Sequence, residues 1–373
     1  MNGKIIHILD DEKVIDRTIE YFETVFPNGN IFFILKNSSN RNLKYIKNID
    51  QVIICDIDNP TEIFCNLDQA KHIIFHLLDD KKIKILEKIN HPNITWMAWG
   101  ADLYNSLLVH RGYKLYRDRT ILKKTGIISK KRKYFPFLTY FIDKYRLKKR
   151  IQAIKKINNI AAIDEDYKLL TKYFPEFSHL KRIDFFYYPI DALLGKELID
   201  RKCLGKKIMV GNSSSPNGNH LYALELISKC NNNYDIIIPL SYGDICYRKW
   251  VLSKFSQYPN LNISSIQDFI PLNEYISLLL ECSNFIYANL RQEALGNILV
   301  AFFIGGKVFL DKENPLYIYF NNLNLKFYTL EDINDFNLNT PLSSSDLLHN
   351  RNIIKDIFSY EKLLYLIKTN FQI

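Results

Sequence analysis

Residues 284–315, NFIYANLRQEALGNILVAFFIGGKVFLDKENP, constrain the fold of this chain more than any other stretch. An apolar run at 285–288 is followed by a polar turn, a helix-length apolar segment, and a second short run at 307–310. A strand returned through a helix to another strand is a βαβ crossover, and strands apolar on both faces belong to parallel sheets covered by helices. The turn carries Asn289, Arg291, Gln292 and Glu293, and Gly296 and Asn297 fall in the first helical turn. Free backbone N–H groups and the positive end of the helix dipole would point out of such a turn, which suits a diphosphate. Gly296 would let a ligand or neighbouring backbone approach closely. Similar turns also occur where nothing binds, so the rest of the chain must decide.

The same alternation runs through the whole sequence. Short apolar runs at 4–9, 31–35, 52–55, 72–78, 94–99 and 157–163 are separated by helical patterns such as 14–26 and 80–89. A second series has runs at 207–210, 235–240, 261–266, 285–288 and 307–310. With 373 residues there is room for two domains. The expected fold is therefore α/β, with two Rossmann-like, doubly wound domains whose ligands gather beyond the strand carboxyl ends. The expected boundaries are an N-terminal domain at 1–190, a linker at 191–205, a second domain at 206–347, and a helical tail at 348–373 able to pack back on the first. His76 and the segment 99–104 fall at strand ends of the first series, as do Asp10 and Asp11. In the second, 207–210 runs into Gly211, Asn212 and Ser213 and then a helix from His220. That turn can also cradle phosphate, although it is neither a P-loop nor GxGxxG.

Charge is concentrated in one place. The chain is +10 overall, but residues 111–156 hold 17 Lys and Arg against two acids, so the remainder is −5. Aromatics are interleaved there, and Lys130, Lys131, Arg132 and Lys133 stand directly before Tyr134 and Phe135. Cations beside an apolar patch suit an anionic membrane surface, at about 1 kcal/mol per Lys or Arg; basic charge with stacking rings also suits nucleic acid. No run approaches the roughly 20 apolar residues that span a bilayer, and the start lacks a secretory-signal pattern. The six scattered cysteines form no CxxC or zinc spacing, consistent with a reducing cytosol.

Several words then narrow the reading. In order they are Trp99-Gly100-Ala101-Asp102-Leu103-Tyr104, Tyr113-Lys114-Leu115, Val210-Gly211-Asn212-Ser213, Arg291-Gln292 with Gly296, and Glu313-Asn314-Pro315. Together they resemble the 4-acetamido-4,6-dideoxygalactose (Fuc4NAc) transferase family, glycosyltransferase family 56, within the GT-B superfamily. The similarity runs over about residues 72–315. Ala294 departs from the family pattern, which has glycine there, and Glu293 and Asn297 are local variations.

The resemblance implies two Rossmann-like domains facing across a cleft, the second binding the donor. It implies transfer of Fuc4NAc or a similar sugar from a dTDP-sugar to an undecaprenyl-diphosphate-linked saccharide, in enterobacterial common antigen-like or O-antigen synthesis. Such an enzyme would work peripherally at the cytoplasmic face of the bacterial inner membrane, without metal or other cofactor and without a nucleic-acid partner. Helix N-termini and a cation can meet the leaving-group charge. The expected donor residues are Gly211, Asn212, Ser213, Tyr242, Gln267, Phe269, Asn289, Arg291, Gln292, Glu293, Gly296 and Asn297, with Arg291 on the diphosphate, Glu293 on sugar or ribose hydroxyls, and the pyrimidine near residues 267–270. Asp102, then His76, is the expected acceptor-side base, with Asp10 and Asp11 behind them; Lys130 to Phe135 would face the membrane. A GT-B-type nucleotide-sugar epimerase and a non-enzymatic membrane- or nucleic-acid-binding protein are the alternatives.

Overall fold

The computed structural model describes residues 3–37, 39, 41–127 and 136–372. They form two compact units, one of Met1–Tyr113, Phe137–Pro189 and Tyr360–Ile373, the other of Lys114–Pro136 and Ile190–Ser359.

In the first unit, seven strands form one sheet: β1 (Lys4–Leu9), β2 (Asn30–Lys36), β3 (Val52–Asp56), β4 (Ala70–His76), β5 (Ile94–Met97), β6 (Asn159–Ala161) and β7 (Lys181–Ile183). Their order is β3-β2-β1-β4-β5-β6-β7, and every pair is parallel. The central strands read as unbroken apolar runs because helices cover both faces, and Ile5, Ile6, Ile8, Ile73, Ile74 and Phe75 have no exposed surface. The order reverses between β1 and β4, which makes a crevice at their carboxyl ends the natural place for a ligand. The helix Ile15–Val25 turns Ile15, Ile19 and Phe22 inward, and the helix Tyr360–Asn370 adds Leu363 and Ile367 to the same core.

The second unit repeats the plan with β8 (Lys207–Val210), β9 (Tyr234–Pro239), β10 (Leu261–Ile266), β11 (Cys282–Tyr287), β12 (Lys307–Leu310) and β13 (Tyr328–Thr329). The order is β10-β9-β8-β11-β12-β13, again all parallel, and it reverses between β8 and β11. The helix Leu295–Phe303, apolar on nearly every side, is buried from Ile298 to Phe303.

Three local differences from the sequence pattern have physical reasons. β7 (KRI) is too short and too charged to read as a strand, yet it pairs with β6 at the sheet edge. The polar exit after β12 leads into a helix, Pro315–Asn322, started by the Asn314 side chain accepting from Leu316 N at 2.9 Å with Pro315 in the first turn. The tail is two helices, Ser344–Ile357 and Tyr360–Asn370, with no proline or glycine at the break to announce it.

The basic stretch is divided as well. Residues 114–127 belong with the second unit, where Ile121 joins the core beside Val210 and Leu224. The helix Pro136–Ile154 belongs almost wholly to the first.

Candidate active site

At the reversal point of the second sheet, the turns after β8 and β11 come together. Gly211 N donates to Ile286 O at 2.9 Å, and Asn219 Nδ2 donates to Ala288 O at 2.8 Å, tying one turn to the other. Gly211 has φ +71°, and a Cβ there would stand 2.5 Å from Nε2 of the buried His220, so the position requires glycine. His220 Nδ1 contacts Tyr247 Oη at 2.9 Å, and burial lowers its pKa to about 4, so the ring is neutral under the turn.

Asn212 and Ser213 are buried in this turn, and Asn212 Nδ2 donates to Tyr242 Oη at 3.0 Å. The half-exposed Tyr242 is brought there by its own backbone, whose carbonyl accepts from Ser214 N at 2.8 Å. The β11 turn supplies a compact polar group. Glu293 Oε2 accepts from Arg291 Nε at 3.0 Å and from Asn289 Nδ2 at 3.1 Å. With the Asn217 amide oriented to suit its neighbours, its oxygen accepts from Arg291 Nε and Nη2, each at 3.3 Å. Arg291 and Glu293 keep only 12% and 14% side-chain exposure, while Asn289 is buried with its Oδ1 unpartnered among the described residues. Gln292 and Asn297 are partly buried.

Among the described residues, no acceptor is seen for the backbone N–H groups of Asn212 and Ser213 or for those of Leu295, Gly296 and Asn297 at the helix start. Paired with the Arg291 guanidinium, they can stabilise negative charge. Two details differ from the sequence reading. An added Cβ at Gly296 would meet Leu193 Cδ2 at 3.4 Å, ordinary contact with a side chain rather than a close backbone approach. Ala294, the departure from the family's glycine, has φ +61°, a left-handed conformation that explains why glycine belongs there.

Gln267 is tied to the turn that carries Tyr242, since Arg248 donates to both Gln267 O and Ser241 O at 3.1 Å; Gln267 and Phe269 themselves stand further along the sheet. They follow the edge strand β10, two strands from the reversal; Phe269 is largely exposed and Gln267 lines a cavity of about 490 Å³ beside that edge. A cavity of about 700 Å³ lies instead against the helices His220–Ser228 and Ile245–Leu252, lined by Arg117, Tyr222, Tyr247 and Trp250 among others.

Arg117, which the charge pattern groups with the membrane-facing stretch, is committed to an ion pair with the buried Asp311 and a second with Glu313 at 2.9 Å; its N donates to Asn219 Oδ1 at 2.9 Å. No local pattern marks Arg117, because its partners lie nearly two hundred residues away. Lys130, Lys131, Arg132, Lys133, Tyr134 and Phe135 lie outside the described residues.

In the first unit, both expected bases are engaged in buried hydrogen-bond networks. Asp102 is buried and accepts from Leu78 N (2.8 Å), Trp96 Nε1 (2.6 Å), Trp99 N (3.0 Å) and Leu103 N (3.1 Å). A carboxylate so fully used organises the loop, and this explains the WGADLY word: Gly100 at φ +86° starts a wide helical turn, Ala101–Asn105, that carries Asp102 under β5. His76 is buried, with Nε2 3.2 Å from His7 Nδ1 and Nδ1 2.8 Å from Tyr187 Oη. Desolvation, and then the neighbouring His7, lower its pKa well below 6.5. Neither group has a site free for an acceptor proton.

Residues 138–344, more than half of the chain, match the sequence profile of the family described as 4-alpha-L-fucosyltransferase, glycosyl transferase group 56. Among solved structures, a glycosyltransferase from Rickettsia africae has a TM-score of 0.61 at 12% identity, over 100% of this chain and 99% of that one. Sucrose-phosphate synthase from Thermosynechococcus elongatus has a TM-score of 0.61 at 9% identity, over 99% and 98%. Anabaena HepE, solved with UDP-glucose, has a TM-score of 0.54 at 10% identity, over 99% and 93%. At such identities these structures speak for the fold alone, two parallel-sheet Rossmann-like domains of the GT-B kind. The profile match adds the family, and the chain is a glycosyltransferase belonging to group 56.

Proposed function

We propose that this enzyme moves a deoxy-amino sugar, Fuc4NAc or a close relative, from a dTDP-sugar to an undecaprenyl-diphosphate-linked saccharide during surface-polysaccharide synthesis. The observation that carries the donor half is the meeting of the Gly211 and Arg291 turns at the β8–β11 reversal. Their unengaged N–H groups and the Arg291 guanidinium supply a diphosphate with donors and positive charge. Glu293, held on one oxygen by Arg291 and Asn289, offers its other to a sugar or ribose hydroxyl. Because these groups can meet the leaving-group charge themselves, transfer is expected to persist in EDTA.

The acceptor half is supported by the helix Pro136–Ile154. It exposes Phe137, Leu138, Tyr140 and Phe141, followed by the exposed Lys144, Arg146 and Lys148, a combination suited to anionic headgroups. No helix among the described residues is long and apolar enough to cross a membrane. The reading is therefore of a peripheral enzyme at the cytoplasmic face of a bacterial inner membrane.

The test is calorimetric binding of dTDP and UDP, then a screen of dTDP- and UDP-sugars with polyprenyl-linked acceptors. Arg291→Ala should weaken dTDP binding about 10- to 150-fold, the range for a hydrogen bond to a charged group. Unchanged affinity in that variant would remove the diphosphate assignment; turnover of a donor without an acceptor would favour epimerisation.

A further inference from the structure

The cavity of about 700 Å³ is lined wholly by residues of the second unit, and its lining includes neither Gly211, Asn212 and Ser213 nor the Arg291–Asn297 turn. Part of its wall is aromatic. Trp250, on the helix Ile245–Leu252, lies over Tyr247 one turn earlier, with ring centroids 5.8 Å apart and planes 30° apart. Tyr247 is buried and its hydroxyl is held at 2.9 Å from His220 Nδ1, so the platform behind Trp250 is fixed. Two more rings line the cavity. Tyr258 Oη donates to Leu221 O at 3.2 Å, and the Tyr222 ring has the Arg117 guanidinium 4.9 Å from its centroid.

The charges of the lining are matched. Arg117 is paired with Asp311 and Glu313, Lys124 with Asp118 at 2.7 Å, and Glu225 with Lys229 at 3.1 Å. Counting those partners, four cations stand with four carboxylates, and among the described residues Lys254 is the one cation of the lining without an ion-pair partner. A phosphorylated ligand would find a single free cation there, too little for a polyanion. A lipid tail would press hydrocarbon on Asp118, Glu225, Lys254 and Gln257 and leave them without water. Rings beside a charge-balanced set of donors and acceptors suit a neutral ligand with an apolar face and a rim of hydroxyls. A pyranose is such a ligand. Its ring C–H groups lie against the negative face of an indole or phenol, and its hydroxyls reach outward to polar side chains.

We infer that this cavity is a second sugar site of the enzyme, which takes a neutral oligosaccharide with one pyranose ring stacked on Trp250. The volume is ample for a ligand of that size. Asp118, Glu225, Lys254 and Gln257 serve the hydroxyls, and Tyr247 holds the indole in place from behind. The site stands whatever nucleotide sugar the enzyme uses as donor. Its occupant has two possible sources with the same chemistry, the glycan of the acceptor or a free oligosaccharide.

The chain has 3 tryptophans, so the indole N–H region of a nitrogen-15 spectrum is simple, and the Trp250 signal is the one lost in Trp250→Phe. The wild type is titrated with maltotriose and chitotriose, and separately with tripolyphosphate. The expected result is saturable movement of the Trp250 signal with at least one trisaccharide, while those of Trp96 and Trp99, in the first unit, stay in place. Trp250→Ala should weaken trisaccharide binding about 10-fold, and Trp250→Phe less because a ring is kept. Gln257→Ala, at an exposed residue, should weaken it several-fold without disturbing packing, and dTDP affinity in all three variants should match wild type. No movement with either trisaccharide, a stronger response to tripolyphosphate, or undiminished affinity in both Trp250→Ala and Gln257→Ala overturns the inference and leaves the proposed function intact. With a polyprenyl-linked acceptor, a raised KM in Trp250→Ala identifies the occupant as the acceptor's glycan, and an unchanged KM identifies it as a free oligosaccharide. Absence of dTDP binding in a wild type whose Trp250 signal still responds to sugar overturns the donor assignment and not this site.

Discussion

His7 Nδ1 and His76 Nε2 lie 3.2 Å apart on the neighbouring strands β1 and β4, and every proton along that contact can be assigned. Asn30 Nδ2 donates to Glu23 and to Phe26 O, so its Oδ1 is an acceptor for His7 Nε2–H. His7 Nδ1 is then the acceptor for His76 Nε2–H, and His76 Nδ1 accepts from the Tyr187 hydroxyl, whose oxygen accepts from Trp99 Nε1. The chain of donors runs one way, with both rings neutral. A proton added to either ring would set N–H against N–H or against another donor.

Acid should therefore unfold this protein in a defined window. Burial is the main cause lowering the pKa of His7 to about 3, and burial is also the main cause lowering those of His72 and His220 to about 4. A group with a depressed folded-state pKa leaves stability intact above its unfolded value, near 6.5, and withdraws it as pH falls toward the folded value. His7 alone would withdraw about 3 kcal/mol by pH 4. Urea unfolding between pH 7.5 and 4 should show the midpoint falling from about pH 6.5 downward. A midpoint constant to pH 4.5 would contradict the neutral pair.

Asp102→Asn separates a structural carboxylate from a catalytic one. One of its two acceptor oxygens becomes an NH₂ group facing N–H donors, so destabilisation of about 3 kcal/mol is expected. The folded fraction should still turn over at a rate within a few-fold of wild type once active molecules are counted by dTDP binding. A kcat loss of 10²-fold or more with stability unchanged would restore Asp102 as the base.

Ala294→Gly should stabilise the enzyme. The left-handed conformation costs a non-glycine residue roughly 1–2 kcal/mol, partly offset by the greater backbone entropy of an unfolded glycine. The expected net gain is about 0.5–1 kcal/mol, read as a higher urea midpoint with an unchanged m-value. A loss of stability would mean that the alanine methyl makes packing contacts worth more than the strain.

Much of the architecture was legible along the chain, because it depends on local pattern. Runs such as KIIHIL and NFIYA have no polar face, so they can only be central strands of a covered parallel sheet, and the turns after β8 and β11 stand at strand ends by their order alone. Gly211 and the Arg291–Asn297 turn were accordingly found as polar turns at strand ends, and the strand order β9-β8-β11-β12 made them neighbours. The edge strand β7 was not legible, since it owes its state to pairing with β6 rather than to its own KRI sequence.

What the amino-acid order determined by itself, then, was two doubly wound sheets, their ligand-bearing ends and the family words that mark them. Only the tertiary structure decided which polar groups are already used. Asp10, Asp11 and Asp102 look alike in sequence, each a carboxylate at a strand end. Three-dimensional contacts give Asp102 four N–H donors, Asp11 three backbone N–H groups and a lysine, and Asp10 a single buried ammonium. Arg117 was likewise drawn out of an apparent basic patch by Asp311 and Glu313. A side chain's chemistry depends on the partners that satisfy it, and those partners are set by packing between residues far apart in the chain.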